Sequence, residues 1–238
     1  EGFGRDMWAK YAEMGWLGVA IPESAGGAGG GMTELGIVLA GGGKFVVLEP
    51  LLGTIVLGAA AIEKAGTKAQ QEKLLAEIAV GKLVLAFAHA EPNGGYARDQ
   101  VKAIARKDGA DYVIDGEKAF ALGAHAADRI VVSARIGGDK GPVGLFLVPR
   151  TAEGVRLNLA PAFDGRRGAA IALSGVKIGA DAKLGDGDKD QLAAISDVID
   201  RGVVALCAEA CGAMVSVTPP TPYGTTTFTV RLGHCCAK

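Results

Sequence analysis

Apolar positions in the first eighty residues recur at helical spacing. Met7, Tyr11 and Met14 fall three to four apart before Gly15 and Gly18 interrupt them, and Leu35, Val38 and Leu39 predict a second helix ending ahead of Gly41-Gly42-Gly43. Between these, Ile21-Pro22-Glu23 and the glycine-rich run at residues 26–31 read as a flexible turn. Residues 51–64 predict a third, buried helix in which Gly53 and Gly58 allow close approach. Thr67 with Gln70 matches a capping box opening a helix through Leu74, Leu75 and Ile78 to Gly81. From Leu83 the period shortens. Residues 83–88, 101–106, 112–114, 130–134, 145–148, 155–157 and 170–173 read as short strands. Turn chemistry such as Pro92-Asn93-Gly94-Gly95, Asp108-Gly109 and Asp164-Gly165 separates them. Helix returns after Asp190, with Leu192, Ile195, Val198, Ile199, Val203 and Leu206 on one apolar face that ends near Met214.

The expected fold class is therefore α+β. A helical N-terminal domain (residues 1–82) precedes an antiparallel β-barrel-like middle domain (83–180) and the start of a C-terminal helix bundle (181–214). Residues 215–238 differ in kind: they hold six of the chain's ten Thr, Pro219, Pro220 and Pro222, and no Asp or Glu. We expect an aberrant or disordered tail there, produced by a reading-frame change near Val215, and a chain truncated at both ends.

Charge narrows the function classes. Lys plus Arg number 25 and Asp plus Glu 26 in 238 residues, which excludes a strongly basic nucleic-acid footprint. No run approaches the roughly 20 apolar residues of a membrane span, and no basic stretch leads into an apolar one as in a signal peptide. A cytoplasmic location is the expectation. Cys207 and Cys211 sit four apart on a helix and Cys235 and Cys236 are adjacent, with no CxxC spacing and no histidine cluster, so no metal site is expected.

Several motifs fail on inspection. The run at residues 26–31 contains no GxGxxG, and Gly43-Lys44 has Val38 where a phosphate loop needs Gly and Phe45 where it needs Ser or Thr. No GxSxG elbow occurs. Asp186-Gly187-Asp188-Lys189-Asp190 starts like a calcium loop, but Gln191 stands at the turn glycine and Asp197 at the closing glutamate. That segment reads as an acidic loop ahead of a helix. His125 is expected on the surface.

Three phrases in fixed order carry the functional signal: Gly15-Trp16-Leu17-Gly18-Val19-Ala20-Ile21-Pro22-Glu23, Leu85-Ala86-Phe87-Ala88-His89-Ala90-Glu91-Pro92 and Gly116-Glu117-Lys118-Ala119-Phe120-Ala121-Leu122-Gly123. With helices before them and strands between, they resemble the acyl-CoA dehydrogenase family over residues 7–214, closest to its pimeloyl-CoA dehydrogenase small-subunit-like branch. The resemblance implies FAD as cofactor and an acyl-CoA thioester as substrate. A carboxylate would remove the α-proton while the β-hydride passes to flavin N5 in a dry, oriented site. It also implies an electron-transfer flavoprotein or similar acceptor and a homo- or hetero-oligomer.

Carried over position by position, the resemblance implies that Phe87, His89, Ala90, Tyr96, Phe120 and Leu122 face the cofactor. The family usually places Thr at Ala90, Ser at Tyr96, Trp at Phe120 and Thr at Leu122. Phe120 retains an aromatic face. Each lost hydroxyl weakens binding by about 0.5–1.5 kcal/mol. The family's catalytic Glu and its pyrophosphate-binding Arg belong to the C-terminal bundle, so no catalytic residue is assigned; Glu91 and Glu209 are not taken as substitutes, and the chain alone is expected to be inactive. The missing hydroxyls leave open a non-catalytic partner subunit of a hetero-oligomeric acyl-CoA dehydrogenase. A flavoenzyme oxidising another substrate on the same scaffold is a further reading.

Overall fold

The computed structural model describes residues 3–92, 94–162 and 164–217; the tail expected to be aberrant lies outside these beyond Val217. Helix α1 (Arg5–Glu13) buries Trp8 and Tyr11, not Met7 and Met14, which stand in solvent. Helix α2 (Met32–Lys44) does not stop before its three glycines but runs through them, because Gly43 lies against another helix. Residues 52–65 form a π-helical stretch (Leu52–Gly58) that continues into α3 (Ala59–Ala65). Helix α4 (Lys68–Ala79) starts at the expected capping box, with the Gln70 amide donating to Thr67 Oγ1 at 3.2 Å and the Thr67 amide to Gln70 Oε1 at 2.9 Å.

The strands are β1 (Leu85–Ala88), β2 (Ile104–Asp108), β3 (Asp111–Leu122), β4 (Arg129–Ile136), β5 (Val143–Pro149), β6 (Val155–Pro161) and β7 (Arg167–Ile178). Five expected strands were too short: the hydrogen-bonded ladders carry on beyond the apolar run of each strand into half-exposed positions. The antiparallel expectation holds for β2–β3, β3–β7, β4–β5 and β6–β7, whereas β1 and β2 both run parallel to β4. One edge of β4 pairs β5. Its other edge is shared, β1 taking residues 129–132 and β2 residues 135–136. The chain between β1 and β2 leaves the sheet at the gap, beside Ser133 and Ala134.

Two cores follow. Leu85 and Phe87 of β1 face the helical layer, packing with residues such as Leu17, Ile62, Ile78, Leu145 and Val198. Ala86 and Ala88 face the interior of the curled sheet with Ile114, Ile130, Phe146 and Ile171. Thr54 fastens the π stretch to β1, its hydroxyl donating to the Leu85 carbonyl and accepting from the Leu85 amide, both at 3.1 Å and fully buried. Thr54→Val keeps the shape but strands both backbone groups. It is expected to lower unfolding free energy by about 1–3 kcal/mol, read by urea denaturation; a loss below about 0.5 kcal/mol would show that these two bonds carry nothing.

Helix α5 (Leu192–Val217) buries Ile195, Val198, Gly202, Ala205 and Gly212. Val203 and Leu206, expected on that face, are 53% and 44% exposed. The first half of the packed side keeps the expected Ile195 and Val198, and from Gly202 onward small residues make it. Among the described residues no helix is long and apolar enough to cross a membrane.

Candidate functional site

The second and third phrases of the sequence signal meet directly. Past the end of β1, the Ala90 carbonyl accepts a hydrogen bond from the Ala119 amide at 2.8 Å. Phe120 follows at once. The β3–β7 register is irregular between Lys118 and Ala121, and Phe120 sits in that irregularity, outside the regular inward–outward alternation. Its ring lies over Gly168 of β7, where an added Cβ would collide with it, and it is 41% exposed. The result is an aromatic face presented to the outside, bordered by the exposed Ala90.

The six residues assigned to the cofactor do not form one cluster. Phe87 and His89 have near-parallel rings 6.1 Å apart, and Phe87 is buried on the helical side of β1. Leu122 packs partly against the same helical layer, in a groove it shares with Pro50, Gly53 and His125. Tyr96 is fully exposed. His125, expected on the surface, has both ring nitrogens buried; burial first, then the charge of Arg167, pushes its pKa down. A separate hollow of about 430 Å³ contains the Glu63–Arg201 pair, bonded at 2.7 and 3.0 Å, and none of the six lines it.

Behind the exposed face lies a buried polar cluster that the sequence reading passed over. The Lys118 ammonium, on a side chain with no exposure, donates to Glu91 Oε1 at 2.6 Å, to Ser133 Oγ at 3.1 Å and to the His89 carbonyl at 3.3 Å. Glu91 also accepts from the Ala103 amide at 3.0 Å and the Lys102 amide at 2.7 Å. These two bonds explain why residues 101–103, expected as strand, are not part of β2. Their outward–inward alternation is real, with Val101, Ala103 and Ala105 buried, but their amides serve a carboxylate instead of a ladder. His89 Nδ1 lies 2.9 Å from Ser133 Oγ.

Electrostatics follow from burial and pairing. Burial lowers the Lys118 pKa to about 8 against the pull of Glu91. The nearby ammonium and the two amides hold Glu91 below the ordinary carboxylate range although burial opposes them. Burial, then the Lys118 charge, lowers His89 to about 4, so the ring is neutral at pH 7. Parity gave a signal for Lys118: Tyr112, Ile114, Gly116 and Lys118 share one face of β3, and that face points inward. Nothing in the sequence gives Lys118 a partner.

Glu91 is unsuited to taking a proton from a substrate, because its oxygens are occupied by an ammonium and two amides and its side chain is 4% exposed. Glu209 on α5 accepts from Arg166 at 3.1 Å. An exposed aromatic face beside Ala90 and Gly168 fits a planar ring system, while Ala90 and Leu122 bring no side-chain hydroxyl.

The comparisons with known proteins agree with this architecture. Residues 1–82 match the family model described as "Acyl-CoA dehydrogenase, N-terminal domain", and residues 86–176 match "Acyl-CoA dehydrogenase, middle domain". The acyl-CoA dehydrogenase FadE12 of Mycobacterium tuberculosis is 37% identical over 161 residues, 63% of this chain and 39% of that protein. Subunit CarC of the caffeyl-CoA reductase–Etf complex of Acetobacterium woodii is 29% identical over 88% of this chain and 57% of its own length. Among solved structures, a glutaryl-CoA dehydrogenase from Mycobacterium smegmatis, in complex with FADH2, superposes with a TM-score of 0.73 at 21% identity, over 88% of this chain and 54% of that one. The chain thus spans between about two fifths and three fifths of the length of these proteins.

Proposed function

The chain belongs to the acyl-CoA dehydrogenase family, and from that premise we propose that it forms one wall of an FAD site in an enzyme that oxidises an acyl-CoA thioester between Cα and Cβ. The observation that carries the reading is the Ala119–Ala90 hydrogen bond, which joins the two signal phrases and sets the exposed Phe120 ring beside them. When bound, the flavin supplies the hydride acceptor. The residues of this chain hold and orient it: Phe120 offers its face for stacking, and the backbone around Ala90 and Leu122 offers polar groups in place of absent hydroxyls. Phe87, His89 and Tyr96 are proposed to contribute to the same site, although they do not cluster with Phe120. An electron-transfer flavoprotein or a similar carrier is proposed as the acceptor, and an oligomer as the working form. The relative CarC is named as part of an Etf complex.

The test is direct. The purified chain is mixed with FAD, and binding is followed by the visible flavin spectrum and by fluorescence quenching. Phe120→Ala is expected to weaken binding at least about tenfold, the loss of roughly 1.4 kcal/mol of ring contact. Equal affinity in the two proteins would remove Phe120 from the wall.

A second reading is favoured by one observation, the absence of a side-chain hydroxyl at both Ala90 and Leu122. In that case the chain is a non-catalytic partner subunit that shapes the acyl-CoA site while a companion supplies flavin and base. A protein that stays colourless with FAD, and gains flavin only when co-expressed with a neighbouring subunit, would favour it.

A further inference from the structure

We propose that Lys118 is a positioning residue. Through Ser133 it holds His89 in the Nε2–H tautomer, and His89 in that form ties the loop at residues 89–98 to a path of bonds ending on helix α5. An ammonium donates three protons and accepts none, and the three protons of Lys118 go to Glu91, Ser133 and the His89 carbonyl. Ser133 Oγ is therefore an acceptor towards Lys118, and its own single proton is free to point at His89 Nδ1, 2.9 Å away. Ser133 is wholly buried, so no water competes for that proton. A neutral imidazole that accepts at Nδ1 carries its proton on Nε2. The backbone of Arg98 also acts on the same ring, in the direction that raises its pKa, and the backbone group of Arg98 with that sign is its carbonyl.

Arg98 extends the path. Its guanidinium donates to Asp200 Oδ1 at 2.6 Å and to the Ser196 carbonyl at 3.3 Å, both on α5. Hydrogen bonds thus run from Lys118 on β3 through Ser133 on β4 to His89, and from Arg98, whose backbone acts on that ring, to α5. The charged groups facing His89 are Lys118 from β3 and Glu91 and Arg98 from its own loop. Two of the three are cations, which favours the neutral ring this path requires. Only the placement of the path behind a flavin wall rests on the proposed function; the path itself needs no cofactor.

The test uses the whole chain labelled with ¹⁵N-histidine and no added flavin, so that failure of the flavin reading leaves it intact. Two-bond ¹⁵N–¹H spectra read the tautomer and titration of each histidine, and His89→Gln assigns the signals. The wild-type His89 is expected as Nε2–H and neutral at pH 6. Ser133→Ala removes the proton offered to the neutral ring and is expected to move the His89 titration upward by a pH unit or more; Ser133→Thr, which keeps the hydroxyl, is expected to restore it. Amide exchange at residues 94–100 should quicken in Ser133→Ala while β3 and β4 stay protected. An Nδ1–H tautomer in the wild type overturns the proposal, and needs no variant to fold. A titration in Ser133→Ala that does not move, or exchange that quickens equally throughout, also overturns it.

Discussion

Replacing Lys118 by Met is expected to cost about 3–5 kcal/mol of unfolding free energy, because it leaves the Glu91 carboxylate buried without its counter-charge. Glu91 keeps its two backbone amides, yet these do not replace a full charge. Urea denaturation at pH 7 measures the effect. The double variant Lys118→Met/Glu91→Gln is expected to recover part of the loss, since it removes the second charge along with the first; its single side-chain oxygen still accepts from one of the Lys102 and Ala103 amides, which in the wild type bond different oxygens of the carboxylate. A Lys118→Met protein within about 1 kcal/mol of wild type would show that the pair is not buried in solution. The pH dependence gives the sign independently. In the wild type the native pKa of Glu91 is depressed, so its contribution is present above the ordinary carboxylate range and is lost as pH falls through the native value. His89, neutral in the native state down to about pH 4, adds destabilisation in the same direction as pH falls from its ordinary value near 6.5. In Lys118→Met the burial of Glu91 is no longer opposed by the ammonium, so its pKa moves up and acid relieves the variant's penalty. The gap between the two proteins is expected to narrow towards pH 4.

The same residues mark where the sequence was legible and where it was not. Local signals survived intact: the capping box at Thr67 and Gln70 and the inward–outward alternation of residues 101–105 are both present. Two of the signal phrases were legible because their order carries the family resemblance, and the Ala119–Ala90 bond joins them across 29 positions of chain, from 90 to 119. What failed was anything decided by a distant partner. Residues 101–103 alternate like a strand, but Glu91 takes the amides that a neighbouring strand would have paired. The three glycines of α2 look like a helix end, and propensity alone would make them one. Similarly, the large apolar residues of α5 suggest a buried stripe that continues to Val203 and Leu206, yet from Gly202 onward the packed side is built from small residues. Hydrophobic periodicity reports a face that is apolar. It does not report which face has a neighbour.

The glycines of the α2–α5 crossing give a prediction in which helix propensity and packing point in opposite directions. A Cβ on Gly212 would lie 1.8 Å from the Ala40 carbonyl oxygen, and one on Gly43 would lie 1.9 Å from the Glu209 carbonyl oxygen. Backbone atoms cannot rotate away as a side chain does, so either methyl forces the helices apart. Gly212→Ala is therefore expected to destabilise the chain by about 2 kcal/mol or more through overpacking, although Ala favours an isolated helix by about 1 kcal/mol. Gly41→Ala is the control. It lies in the same helix α2 with nothing near its added Cβ, and should stabilise by up to about 1 kcal/mol. If both substitutions stabilise, the close crossing does not exist in solution. The consequence reaches the candidate site, because α5 also carries the Asp200 partner of Arg98 and the Glu209 partner of Arg166. Moving α5 outward at Gly212 loosens the anchor of the loop that follows Ala90. Amide exchange at residues 94–100 is expected to quicken in Gly212→Ala while the β3–β7 ladder, built from its own backbone pairs, remains protected.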